Sequence, residues 1–212
     1  MTRLECFHAC KTDGGLDHVI SSAPFMASTE RPQWLGPGYY FWYGDNELAN
    51  WWAASSIKSH DGQAAIFEFE LRVKKRKFLD LVGEPRHIKY FEELAQIYVR
   101  KQTTHNHKSY SDITVSELLH FLVEENDKKI FDFHAVKGAT RATKDLVKFI
   151  SGRNDHLGAN RRQQICVFPS YDCVILRGKL INPKDWVVSA RGKSLWINIK
   201  RVYKHLLHYS IR

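Results

Sequence analysis

Long apolar runs are missing from this sequence: its uninterrupted hydrophobic stretches last only a few residues, well short of a bilayer span. The opening residues Met1-Thr2-Arg3-Leu4-Glu5 turn polar at once, so no secretory signal is visible. A soluble, cytoplasmic protein with no membrane partner is the expectation. Cysteine is scarce as well. Cys6, Cys10, Cys166 and Cys173 form no C-x-x-C unit, and no His stands at zinc-finger spacing from them. That spacing predicts buried free thiols, which behave as small hydrophobes, and no metal site. Internal repeats, low-complexity tracts and linkers are absent. So are the common catalytic signatures: there is no G-x-S-x-G, no Walker A, no G-x-G-x-x-G and no H-E-x-x-H.

What is present suffices for a core. With 43% apolar residues in 212, the chain can fold without disulfides or structural metal, and residues 1–212 read as a single domain. Lys and Arg outnumber Asp and Glu by 32 to 23, a formal charge of +9 that suits a polyanionic partner or a phosphate-bearing cofactor. The basic residues are spread out, at 72–77, at Arg161-Arg162 and through 179–204, and solvated faces account for many of them.

Periodicity predicts an α+β fold. Leu4, Cys6, His8 and Cys10 alternate on one face of an opening strand, and Leu16 to Ser22 form a short helix. The Pro- and Gly-rich stretch 22–38 is a loop of the length usually kept for function. Gly38-Tyr39-Tyr40-Phe41-Trp42-Tyr43 is strand-like, and Asp45 caps a helix with Leu48, Trp51, Trp52 and Ser55 inward. Phe67, Phe69 and Leu71 alternate with Glu68 and Glu70, and Phe78 to Val82 make a further strand. Helices are expected at 84–101 and 114–126, the second opened by a Thr114…Glu117 capping box, with a polar loop at 105–108 between them. Strands are expected at 129–136, 163–168 and 171–181. A short helix is expected at 144–150, and the tail mixes an alternating piece at 195–199 with an amphipathic one at 202–207.

Three segments, weak alone, combine. They are Phe7-His8-Ala9-Cys10, then Trp34-Leu35-Gly36-Pro37-Gly38-Tyr39-Tyr40-Phe41-Trp42 with Ala49 and Trp52-Ala53 behind it, then Gln164-Ile165-Cys166-Val167-Phe168. In this order and spacing they resemble the ADP-ribosyltransferase superfamily, in particular small bacterial members reading Tyr-His-Gly-Thr, Gly-x-Gly-x-Tyr-Phe-Trp and Gln-Ile-Cys-Val. Phe78-Leu79-Asp80-Leu81 and Phe131-Asp132 fall where such sequences carry similar stretches, so the resemblance spans about residues 4 to 181.

The resemblance implies split antiparallel β-sheets with flanking helices around an NAD⁺-binding cleft. It implies that His8 holds the adenosine ribose and that main-chain groups of Ala9, where Gly is usual, hold the nicotinamide amide. Cys10 stands where Thr is usual. Tyr40 would stack on the nicotinamide ring, while Gly36 and Gly38 bring the chain close to the ligand. Phe41, Trp42, Trp51 and Trp52 read better as core packing. The catalytic corner, usually Glu, falls to Gln164, with Arg162 rather than an acid two residues earlier. A neutral amide holds a hydroxyl but does not offset a developing cation; Asp132 and Glu125 are the alternative acids.

The implied activity is NAD⁺-dependent mono-ADP-ribosyl transfer to a macromolecule, as in a bacterial toxin with a cognate antitoxin or a phage-defence module. Arg161 and Arg162, just before the catalytic strand, are the candidate acceptor contacts and tilt the acceptor toward nucleic acid, RNA before protein. A non-catalytic nucleic-acid-binding module on the same fold is the alternative. An RNA 2′-phosphotransferase ranks last, because its set of arginines has no counterpart here.

Overall fold

Two ten-residue strands organise the chain. β1 (Thr2–Lys11) and β3 (Ala64–Val73) pair antiparallel over their whole length, from Thr2↔Val73 to Lys11↔Ala64. Strict alternation puts Leu4, Cys6 and Cys10 with Phe67, Phe69, Leu71 and Val73 in one buried cluster, as the period of two demands. These relations come from a computed structural model that describes residues 1–28, 32–57, 63–106, 109–125, 127, 129–140, 162–169, 175–183 and 195–198.

Beyond β3 lie β7 (Ile175–Asn182) and then β8 (Leu195–Asn198). On the other side of β1 come β2 (Tyr39–Tyr43), β6 (Arg162–Val167), β5 (Ala135–Thr140) and β4 (Phe78–Asp80). The fold is therefore mixed α+β around a mixed sheet. All pairings are antiparallel except β4 with β5, where wholly antiparallel pairing was expected. The reason is the connection. Helices α3 (Pro85–Asn106) and α4 (Val115–Glu125) lie between these two strands, and a helical crossover returns the chain in the same direction.

One face of the sheet packs on α1 (Gly15–Ser22) through Val19. The opposite face carries two separate clusters. In one, Phe91 and Leu94 of α3 and Leu118, Leu119 and Leu122 of α4 cover Leu79, Val136 and Cys166. In the other, Ala49 of α2 (Asn46–Trp52) and Ala53 and Ile57 of the π-helical turn behind it cover Phe7, Trp42 and Ile66. A concavity between these clusters is the structural consequence of splitting the helices into two groups.

Local signals hold where they were clear. Asp45 Oδ1 accepts from the Glu47 N–H at 2.8 Å, and Thr114 Oγ1 from the Glu117 N–H at 3.1 Å. Cys6, Cys10 and Cys166 are free and buried; burial pushes the Cys10 thiol up to about 12, so it stays protonated. Two expectations about the helix and strand ends fail. Helix α3 continues through His105 and Asn106, where a loop was expected. The strand expected at 129–136 begins only at Ala135: Phe131 instead plunges into the core from a turn closed by its N–H on the Asp127 carbonyl. The helix at 144–150, the tail at 202–207, residues 171–174 and Cys173 lie outside the described residues. Among the described residues, no helix is long and apolar enough to cross a membrane.

The β4–β5 pair is pinned by charge. Asp80 and Lys137 are register partners, and their side chains meet at 2.7 Å with the ammonium 5.0 Å from the Tyr43 ring centroid. Burial alone would raise the Asp80 carboxyl. The Lys137 ammonium and the N–H groups of Gly83 and Val82 outweigh it and hold the group below its ordinary value. Asp80→Asn should therefore cost about 3 kcal/mol or more, because it strands a buried ammonium, while adding Lys137→Met should recover most of the loss. Urea unfolding of the two variants decides this; equal stability of single and double variants would show that the pair carries no such coupling.

Candidate functional site

The sheet opens where β1 meets β2. Only Cys6↔Tyr43 and Phe7↔Trp42 pair across that seam, and beyond Phe7 the two strands diverge. The gap is filled by the His8 imidazole. Its Nδ1 lies 2.9 Å from the Tyr40 carbonyl, and its Nε2 lies 3.2 Å from the Phe25 N–H. An N–H only donates, so Nε2 carries the lone pair and Nδ1 the proton: His8 is the neutral Nδ1–H tautomer. Phe25, Phe41 and Phe69 surround the ring at 5.7 to 6.5 Å. Burial drives the His8 pKa down to about 4, against the opposing pull of the Tyr40 carbonyl.

A rigid wall rises beside this wedge. The Tyr40 hydroxyl donates to the Gly36 carbonyl at 2.8 Å and accepts from the Leu35 N–H at 2.9 Å. Both backbone groups of Gln33 are fastened to α4, its N–H to His120 Nε2 at 3.3 Å and its carbonyl to the Ser116 hydroxyl at 2.8 Å. Three glycines make the wall fit. Gly36 holds a left-handed φ of 80°. A Cβ on Gly38 would stand 2.3 Å from the Val167 carbonyl oxygen, so this residue lets β2 approach β6 and does not itself line the cleft. A Cβ on Gly138 would stand 2.6 Å from Leu35 and 3.1 Å from the Trp34 ring, so β5 supplies the floor on which Trp34 lies. Gly138 carries no sequence signal of this role.

Trp34 in turn aims the third component. Its indole Nε1–H donates to Gln164 Oε1 at 2.8 Å. Because the indole is donor-only, the amide orientation is fixed, leaving one Oε1 lone pair and the NH₂ donors for a ligand. Arg162, two residues earlier on β6, lays its guanidinium 4.4 Å from the Trp51 ring centroid. Trp51 and Trp52 were expected in the core, yet each is 41% exposed. Ala49, Ala53 and Ile57 take the inner face of that helix, because small residues let it sit close on the sheet.

These pieces enclose one cleft of about 730 Å³, within the range of small-molecule sites. His8, Ala9, Tyr40, Arg162 and Gln164 all line it, drawn from segments far apart in sequence. Arg161 lies outside the described residues. The alternative acids do not reach the cleft: Asp132 is ion-paired with Lys77 beside His134, and Glu125 is exposed at the end of α4. Asp13 is the one carboxylate in the lining among the described residues, which also include the cations Lys11 and Arg162. Sequence reasoning missed Lys11 and Asp13, which continue the opening strand into its turn. No cluster of three or more His, Cys, Asp or Glu able to hold a metal occurs among the described residues.

The depressed His8 pKa makes stability pH-dependent. Between its ordinary 6.5 and its folded value of about 4, the unfolded chain binds a proton that the folded chain refuses. This contribution is complete above the upper value, shrinks as pH falls and is gone below the lower one, a loss of roughly 3 kcal/mol. In His8→Gln, a neutral donor and acceptor at the same seam, urea unfolding followed through that window should lack this component of the slope. An identical slope in both proteins would mean that His8 is not the neutral wedge described. Compared with family models, curated proteins and solved structures, the chain matches none.

Proposed function

We propose that the chain is an NAD⁺-dependent mono-ADP-ribosyltransferase with an ADP-ribosyltransferase-like fold. The observation that carries the reading is the convergence of His8–Ala9, Trp34…Tyr40 and Arg162…Gln164 on one cleft, the three segments on which the sequence resemblance rests. The split between β1 and β2 supports it further. The resemblance alone supplies the toxin role, the cytoplasmic site and a neutralising antitoxin, and these are associations of the family.

In the proposed reaction the C1′–N bond of the nicotinamide ribose breaks, and nicotinamide leaves with the bonding pair as a neutral molecule. A lone pair of the macromolecular acceptor forms the new bond to C1′, and the acceptor proton passes to solvent. Tyr40 offers a ring, held by two hydrogen bonds, against which the nicotinamide stacks, and its hydroxyl remains protonated because burial raises its pKa. Gln164 offers an oriented amide to a ribose oxygen, acting by placement. His8 meets a ribose hydroxyl at Nε2 only if the Phe25 N–H yields that position, so NAD⁺ binding entails a shift of the segment around Phe25.

The neutral amide at 164, with Asp13 the sole lining carboxylate among the described residues, favours a second reading: a module that binds nucleic acid on the same fold without consuming NAD⁺. Nicotinamide release separates the two. Release from labelled NAD⁺, measured with RNA, DNA or lysate as acceptor, should depend on one acceptor pool. Gln164→Ala should lower kcat by about a hundredfold. Trp34→Phe, which frees the amide while keeping an aromatic ring on the cleft floor, should lose about tenfold in kcat with little change in KM. Folded protein that releases no nicotinamide with any acceptor would leave the binding module in place of the transferase.

A further inference from the structure

The transferase reading does not use the most exposed aromatic surface of the cleft. Of the tryptophans whose side chains are described, Trp34 and Trp42 are largely covered, whereas Trp51 and Trp52 are each 41% exposed. Adjacent exposed indoles are not the scattered apolar residues that any surface carries. They are braced from behind. The buried Trp42 ring lies 6.1 Å from Trp51 and 6.2 Å from Trp52, and the two exposed rings are 6.2 Å apart. The helix that carries them is held down by Ala49, Ala53 and Ile57, so the indoles keep their positions without packing against a cover of their own.

Charge accompanies the rings. The Arg162 guanidinium lies over Trp51 at 4.4 Å, and Lys11 lines the same cleft. Asp13 alone opposes them there among the described residues, in a chain of formal charge +9. Exposed, braced indoles next to two cations suit a ligand that is itself a flat ring on a phosphate chain. A base inside a duplex has both faces covered by its neighbours, so only an unpaired base reaches such a platform.

We infer that Trp51 and Trp52, with Arg162 stacked on Trp51, form a platform that takes an unpaired base of a single-stranded nucleic acid, its phosphates running past Arg162 and Lys11. This names the acceptor of the proposed transferase and rests on that reading for its chemistry, while the binding itself does not require NAD⁺. The platform opens into the cleft that holds Gln164 and Tyr40, so a base seated there lies beside the proposed reaction centre.

The test measures binding of fluorescent single-stranded RNA, single-stranded DNA and the matching duplex to the full chain without NAD⁺. Nicotinamide release and ADP-ribose binding are measured in parallel. Single strands should bind more tightly than duplex. Trp51→Ala and Trp52→Ala should each weaken single-strand binding by about five- to a hundredfold, with Trp51→Phe recovering part of the loss. Arg162→Gln should lower the slope of log K against log salt by about one. Far-UV circular dichroism establishes that each variant is folded, and the Phe variants serve should an Ala variant not fold. Single-strand affinity unchanged in folded Trp51→Phe, Trp51→Ala and Trp52→Ala overturns the inference. So does loss of ADP-ribose binding with oligonucleotide affinity intact, which assigns the indoles to the dinucleotide. Tryptophan-dependent oligonucleotide binding without any nicotinamide release upholds the platform and discards the transferase.

Discussion

The seam between β1 and β2 depends on a single imidazole with a donor at one end and an acceptor at the other. Where two strands part, each leaves backbone groups without ladder partners, and a buried unpaired group costs on the order of 1–3 kcal/mol. His8 answers one such group, the Tyr40 carbonyl of β2, and with its other nitrogen the Phe25 N–H of the loop after α1, and its flat ring fits among three phenylalanines. An alanine there would strand both groups. A second proton on the ring would set a donor against the Phe25 N–H. The same atom that stabilises the fold is thus the one that the proposed ligand must claim, so stability and binding are linked through His8 Nε2.

The other side of the cleft is positioned by what it lacks. Gly38 and Gly138 omit side chains where Val167, Leu35 and Trp34 come too close for a Cβ. Without Gly138, Trp34 could not lie flat on β5, and without Trp34 the Gln164 amide would have no fixed orientation. The wall is held by hydrogen bonds from Tyr40 on β2 and from Ser116 and His120 on α4, two elements far apart in sequence. Such redundancy keeps the amide in place within the tolerance a positioned group requires.

Alternation made the strands legible: Leu4 to Cys10 and Phe67 to Leu71 show their inward faces directly in sequence. The Asp45 and Thr114 caps were legible for the same local reason. Non-local choices were hidden. Phe131 and Phe133 look like strand residues, yet the register of β5 is set by Lys137 meeting Asp80, more than fifty residues earlier. Trp51 and Trp52 look like core because size and apolarity mark them so, whereas the close seating of that helix selects Ala49 and Ala53 instead. His8, Tyr40 and Gln164 were found as residues, but their partners Phe25, Gly36 and Trp34 lie on a loop whose path the local sequence does not encode.

Electrostatics then constrains how the site can work. Arg162 and Gln164 are two apart on β6 and both line the cleft, so a carboxylate at 164 would stand near a guanidinium and be drawn toward it. An amide at that position leaves Arg162 stacked on Trp51, available to phosphate. The lining as described holds two cations and one carboxylate, an arrangement that attracts phosphates and does little for a ribose acquiring positive charge. Under the proposed reaction, acceleration of nicotinamide loss would come from holding the dinucleotide and its acceptor in line, the contribution that orientation alone supplies. The aromatic shelf and the rigid wall are the parts suited to that task. In the proposed transferase, placement therefore replaces chemical push, and turnover would follow how well a bound acceptor is aligned.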